Sequence, residues 1–280
     1  MVGALSATAP ISLLVSDVDG TLVTRDKRLT AANISAAARL THAGIRLSLV
    51  SSRPPAGFAM LTGPLQLTAP IGAFNGGAIL QPDLVLIEET RVPAEAARLA
   101  LASFAEFGLD AWLDTKDTWY VTRLDGAYVA KERHTIAQEP TLVPSFKPYL
   151  DQVGKLVGSS EDFDRVMACE AALQAVLGRG ATAKRSQPYY LDVTPHGFDK
   201  GEATRRIARL LDVPLNEVAV IGDMANDMPM FEVASFRIAM GNGIDALKQA
   251  ADFVTDDNEH DGFATAVDRF ILPRAPMHPS

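Results

Sequence analysis

Apolar runs that stop abruptly at polar or glycine-rich clusters set the rhythm of this chain. Ile11 to Val15 leads into Ser16-Asp17-Val18-Asp19-Gly20-Thr21-Leu22, and Ile45 to Val50 into Ser51-Ser52-Arg53-Pro54. Pro70 to Phe74 ends at Asn75-Gly76-Gly77, Val218 to Ile221 at Gly222-Asp223-Met224-Ala225-Asn226-Asp227, and Phe236 to Met240 at Gly241-Asn242-Gly243. Continuous apolar runs of this length are strands buried on both faces. Helical patterns separate them: Thr30 to His42, with Thr30 as N-cap and Gly44 as stop, then Pro55 to Leu61, Lys200 to Leu211, Met228 to Val233 and Ile244 to Ala250. Strand alternating with helix predicts an α/β fold with a doubly wound parallel sheet. Open sheets of this kind bind ligands outside the carboxyl ends of their strands, which is where the polar clusters fall.

The texture changes near Leu84. Both tryptophans and all five tyrosines lie between Trp112 and Tyr190, where short alternating strands replace the long apolar ones. The pattern predicts a helix over Pro93 to Phe107 and strands over Ala111 to Leu113, Trp119 to Thr122 and Lys155 to Val157. A helix over Asp162 to Leu177 and a closing pair, Ala181 to Lys184 with Tyr189 to Val193, complete the segment, while 124–150 stays unassigned. The division expected is a core over 1–83 and 192–280, interrupted by an inserted domain over 84–191. Its crossings fall near Gln81-Pro82-Asp83 and Thr194-Pro195-His196-Gly197, with glycine or proline at each.

At 280 residues and 48% hydrophobic composition the chain has ample material for a core, and no run approaches the roughly 18 uninterrupted apolar residues of a membrane helix. The first ten residues lack a basic stretch and a long hydrophobic run, and read as a disordered leader. A formal charge of −8 disfavours a nucleic-acid partner held by phosphate contacts. The single cysteine, Cys169, sits among Val166, Met167, Ala168 and Leu173 and reads as a buried helix residue of a cytoplasmic protein. The histidines, His42, His134, His196, His260 and His278, lack metal-ligand spacing. Trp112, Trp119, Tyr120, Tyr189 and Tyr190 read as packing, and Asp256-Asp257-Asn258-Glu259 as a solvated loop.

Asp, Asn and Ser also favour turns and caps for local reasons, so each cluster alone has a purely structural explanation. Together and in order, however, Asp17/Asp19, Ser51-Ser52-Arg53, Lys200 and Asp223 with Asn226-Asp227 resemble the four motifs of the haloacid dehalogenase superfamily. The position of the insert makes the chain similar to its Cof-type branch, with a Rossmann-like core and an inserted α/β cap of type IIB. The likeness runs from about Leu13 to Phe270 and includes Asn75-Gly76-Gly77, Asp199-Lys200-Gly201 and Met240-Gly241-Asn242.

That resemblance implies Asp17 as nucleophile and Asp19 as general acid and base. It implies Mg²⁺ held by Asp17, the Asp19 carbonyl and Asp223, with Asp227 as a direct ligand or the residue behind one. Lys200 would neutralise the nucleophile and the phosphate, and Ser51 would hydrogen-bond a phosphoryl oxygen. Chemically these fit: a carboxylate attacks phosphorus once a cation screens it, and Mg²⁺ takes hard oxygen ligands. Gly20 permits the turn and Thr21 holds the loop. The family usually has Thr-Gly-Arg where this chain has Ser51-Ser52-Arg53. Either the backbone at Ser52 has negative φ or the phosphate contact is altered. Arg53 reads substrate or makes a surface ion pair, and Asn75, Gly76 and Asn226 line the site or stabilise their loops.

The function expected is a Mg²⁺-dependent phosphatase acting on a small phosphorylated metabolite, a sugar phosphate above all, through an aspartyl phosphate. Alternatives are a phosphomutase and a catalytically silent metabolite-binding regulator. The sequence carries no signal for oligomeric state.

Overall fold

The computed structural model describes residues 9–276. The expected leader lies outside the described residues over 1–8, as does His278. In chain order the first elements are β1 Leu13–Ser16, α1 Ala31–His42, β2 Arg46–Leu49, α2 Ala59–Leu65, β3 Ile71–Ala73, β4 Ala78–Leu80 and β5 Leu86–Glu89. There follow α3 Ala94–Glu106, β6 Asp110–Asp114, β7 Trp119–Val121, α4 Val129–Ile136, β8 Thr141–Leu142, β9 Lys155–Ser159, α5 Phe163–Leu177, β10 Ala181–Gln187 and β11 Tyr190–Pro195. The last are α6 Lys200–Leu210, β12 Val218–Gly222, α7 Met228–Val233, β13 Phe236–Ala239, α8 Asp245–Ala250, β14 Phe253–Val254 and α9 Gly262–Ala266. No helix among the described residues is long and apolar enough to cross a membrane.

The chain divides into two compact units. One gathers the residues up to Val50, Leu61–Ile71 and the residues from Thr204 onward; the other gathers Ser51–Met60 and Gly72–Ala203. The second is wider than the expected 84–191, because the polar cluster after β2 and the β4–β5 hairpin group with it.

The first unit holds a five-stranded sheet in the order β14-β13-β12-β1-β2, with every pair parallel. From β1 the chain moves outward to β2, while β12 to β14 build outward on the other side. The order therefore reverses between β1 and β12, which makes their carboxyl ends the topological switch point. Leu13, Leu14 and Val15 are buried, as are Val218 to Ile221 opposite them, as their apolar runs require. Helix α1 starts where the Thr30 hydroxyl accepts the Asn33 N–H at 3.2 Å. Beyond it the chain turns at Gly44, whose φ of 75° suits glycine.

The third apolar run departs from expectation. Ile71–Ala73 is a strand, but it ladders with β4 and β5 in a separate three-stranded sheet. Phe74 and Asn75 both take positive φ directly after it, so the chain turns before a ladder can extend. Only single bonds tie the run to the β2 segment, Ser48 Oγ to the Pro70 carbonyl at 2.6 Å and the Ser51 N–H to the Gly72 carbonyl at 2.9 Å.

The second unit carries a six-stranded sheet, β10-β11-β9-β6-β7-β8, antiparallel except for β7 with β8. Period-two alternation sorts its side chains onto two faces. Leu113, Leu156, Leu191 and Val193 pack on Phe104 of α3 and on Val166, Cys169 and Leu173 of α5. Cys169 is thus the buried helix residue expected, and burial pushes its thiol up to about 11. The other face sets Trp112, Trp119, Val157 and Tyr190 under Val129 and Ile136 of α4, and on that face also lie Asp114, Lys155 and Asp192. Residues 124–150, unassigned from sequence, contain α4, β8 and the start of a 3-10 turn over Lys147–Gln152.

Candidate active site

Strand β1 delivers Asp17 to the switch point. The Asp17 N–H still pairs with the Ile221 carbonyl at 3.0 Å, and its side chain is buried. The chain then turns at Gly20, whose φ of 87° is open to glycine and strained for other residues. A β-carbon there would stand 2.3 Å from Asp223 Oδ2, so the loop after β1 passes directly over the acid that β12 supplies. Gly222 is equally tight, with space for a β-carbon only 2.6 Å from Asp227 Cγ.

Each of these acids is held in place. Asp223 Oδ1 accepts from the Thr21 hydroxyl at 3.2 Å and Oδ2 from Asn242 Nδ2 at 3.3 Å; the same amide nitrogen reaches the Gly20 carbonyl at 2.8 Å. Asp227, fully buried, accepts the Asp223 and Met224 N–H groups on Oδ2, each at 2.8 Å. Carboxylate oxygens of Asp17, Asp223 and Asp227 lie within 4.8 Å of one another. Three buried carboxylates at that spacing repel unless protons or a cation offset them. Hard oxygen donors, burial and glycines at the two tightest approaches make this a fitting cradle for a Mg²⁺-sized ion.

Asp19 stands apart from that trio. Its Oδ1 is paired with Lys27 Nζ at 2.6 Å, and both side chains are partly exposed. Sequence reasoning missed Lys27, whose only signal is a cation eight positions downstream in a loop with φ of 62°. It also assigned no role to Asn242, although the Met240-Gly241-Asn242 segment was quoted. The acidic run near the end is corrected. Asn258 is buried, donating Nδ2 to the Val23 carbonyl at 2.9 Å and its N–H to Asn242 Oδ1 at 3.1 Å. With Asn33 Nδ2 on the Leu22 carbonyl at 2.8 Å, three side-chain amides hold the loop after Asp17 by its carbonyls.

The remaining sequence candidates fall as follows. Asn226 lies half-buried in the turn between Asp223 and Asp227. Ser51, Ser52, Arg53, Asn75, Gly76 and Lys200 belong to the second unit. Ser51 is buried and its Oγ accepts the Arg53 N–H at 3.2 Å. Ser52 is absent from the residues of positive φ, so a serine sits there without strain. Arg53 makes no surface ion pair: only 2% exposed, it turns inward and donates Nη1 to the Gly57 carbonyl at 2.9 Å. Asn75 holds φ of 54°, and its side-chain oxygen is buried without a hydrogen-bond partner among the described residues. Gly76, with φ of 102°, leaves only 2.7 Å between a would-be β-carbon and the Asp199 carbonyl. Lys200 opens α6 and is buried, while Asp199 Oδ1 caps that helix from the Glu202 N–H at 2.8 Å.

A family model described as haloacid dehalogenase-like hydrolase matches residues 14–267, both acid-bearing strands included. The chain belongs to that family. Among its relatives is the 5-amino-6-(5-phospho-D-ribitylamino)uracil phosphatase YwtE of Bacillus subtilis, 28% identical over 91% of this chain and 96% of the relative. A crystal structure of a haloacid dehalogenase-like hydrolase from Bacteroides thetaiotaomicron is 28% identical, covers 92% of this chain and 99% of its own, and superposes with a TM-score of 0.84. A subclass IIB sugar phosphatase of the superfamily has the same fold, at 24% identity and a TM-score of 0.80 over 93% of this chain and 99% of that one. This member of the haloacid dehalogenase-like hydrolases lies on the Cof-type phosphatase branch, with the parallel core sheet and inserted α/β cap of subclass IIB.

Proposed function

We propose that the protein is a Mg²⁺-dependent phosphatase that hydrolyses a small phosphorylated metabolite, a sugar or sugar-alcohol phosphate, through an aspartyl phosphate. The observation that carries this reading is the buried trio Asp17, Asp223 and Asp227, gathered where β1 and β12 diverge. Mg²⁺ bound there, by Asp17, the Asp19 carbonyl and Asp223, would offset the carboxylate charge and polarise a phosphoryl oxygen. An Asp17 oxygen attacks phosphorus while Asp19 gives its proton to the departing alkoxide oxygen, leaving phosphate esterified to Asp17. Asp19, now a carboxylate, takes a proton from water, and the hydroxide formed attacks phosphorus, releasing phosphate and restoring Asp17. In this reading Lys200 and the Ser51 hydroxyl stabilise charge on the phosphoryl oxygens. Asp227 holds the Asp223 loop through two N–H groups.

Substrate choice is assigned to the inserted residues 84–191, with Ser52, Arg53, Asn75, Gly76 and Asn226 as polar neighbours of the substrate. The names of the relatives support the chemical class, since one carries a phosphoribityl group and another is a sugar phosphatase. A single free, buried thiol suits a reducing cytoplasm.

A panel of phosphorylated metabolites, assayed for inorganic phosphate with and without Mg²⁺ and ranked by kcat/KM, tests this. Release that requires the metal and favours sugar phosphates is expected. Full activity under chelation overturns the metal's role, and no release from any ester overturns the phosphatase reading.

A further inference from the structure

Three consecutive carbonyls in the Ser51-Ser52-Arg53 turn are each tied down. The Ser51 carbonyl accepts the Asn75 N–H at 2.9 Å and the Arg53 carbonyl accepts the Phe74 N–H at 3.0 Å. Between them, the Ser52 carbonyl accepts Lys155 Nζ at 3.0 Å, from the first residue of β9. The peptide joining Ser52 to Arg53 is therefore gripped on both edges: its oxygen by Lys155, its N–H by Ser51 Oγ at 3.2 Å. Because C=O and N–H point opposite ways across a trans peptide, rotating this plane would take the N–H off Ser51 Oγ. While that N–H occupies an Oγ lone pair, the hydroxyl proton of Ser51 is directed elsewhere, available to an external acceptor.

Lys155 is set up to hold such a grip. Its side chain is 5% exposed, its ammonium lies 3.7 Å from Asp114 Oδ2, and Asp192 and Glu132 add negative potential from β11 and α4. Burial alone would strip its proton, and these carboxylates outweigh burial and hold its pKa above the ordinary lysine value. An apolar side chain of the same length would fill this position at lower desolvation cost. What the ammonium adds is the bond to Ser52.

We infer that Lys155 is a positioning residue for phosphoryl binding: through the Ser52–Arg53 peptide it aims the Ser51 hydroxyl. The inference rests on the reading of Ser51 as a phosphoryl-oxygen donor.

A double-mutant cycle between Lys155 and Ser51 tests it. The host is Asp114→Asn, so that Lys155→Met removes a buried cation where one buried carboxylate is already neutral; Lys155→Gln serves as a second variant should Lys155→Met fold poorly. The readouts are the Kd for inorganic phosphate with Mg²⁺ present, by calorimetry, and kcat and KM for one ester. Lys155→Met is expected to weaken phosphate binding about tenfold or more, Lys155→Arg to restore most of it, and Lys155→Met in a Ser51→Ala background to change it less than about twofold. Multiplicative effects of the two substitutions, or phosphate binding unchanged by Lys155→Met, overturn the inference. An enzyme that binds phosphate but hydrolyses no ester refutes the phosphatase reading while the calorimetric cycle still decides the role of Lys155. Failure of the unsubstituted protein to bind phosphate refutes both.

Discussion

Gly20 faces Asp223 so closely that a β-carbon at position 20 would stand 2.3 Å from the Asp223 Oδ2 atom. The loop that carries one acid thus forms a wall beside another. Gly20→Ala would combine a positive φ with a clash against a side chain already fixed by Thr21 and Asn242. We expect a folded protein whose affinity for Mg²⁺ drops about tenfold or more, read by calorimetric titration. Unaltered metal affinity would show that Asp223 relaxes at no cost.

Asp17→Asn removes the nucleophilic charge with little change of shape. Phosphate release should fall by at least about a thousandfold. Without metal the same variant should melt at a higher temperature than its parent, because one of three crowded carboxylates becomes neutral. A variant of undiminished turnover would reassign the nucleophile, and a lower melting temperature would remove the repulsion argument.

Asn258 is the far anchor of the loop after Asp17. Asn258→Ala leaves the buried Val23 carbonyl without that donor and frees Asn242 Oδ1, which should cost about 1–3 kcal/mol in urea unfolding. A stability loss below about half a kcal/mol would return the acidic run to the solvated surface.

Asp114 supplies a pH test. Burial is the largest cause raising its pKa from 3.8 to about 7; Lys155 opposes the rise while Glu132 and Asp192 add to it. Between those two values the native protein keeps a proton that the unfolded chain releases, so stability falls as pH rises through the window and levels off above about 7. Asp114→Asn should flatten that decline in denaturation curves taken from acid to neutral pH. An identical slope in the variant would assign the proton elsewhere.

The acid trio was legible because each member directly follows an apolar run, and a run buried on both faces has one place to deliver its last residue. The sheet to which Ile71–Ala73 belongs was not, since an apolar run shows burial but not its neighbour; the left-handed turn at Phe74 and Asn75 decided that. Lys155 was equally hidden. In Lys155-Leu156-Val157-Gly158-Ser159 the outer positions read as a wet face, and only α4 packed on that face makes it dry. Asn258 looked like surface because its neighbours are charged, whereas its partners lie at Asn242 and, across 235 positions of chain, at Val23.

The pairing of β1 with β12 bears on how this molecule comes to exist. Ser12, beside β1, bonds Glu217 across 205 positions of chain, and β1 and β12 are central strands of their sheet. During synthesis β1 must wait for β12 to emerge, with Leu13, Leu14 and Val15 lacking that partner. The local hairpins of the second unit require no such delay. Contacts so distant in sequence make closure of the parallel sheet the slow, aggregation-exposed step of folding, and the two acids that define the chemistry meet only when it is complete.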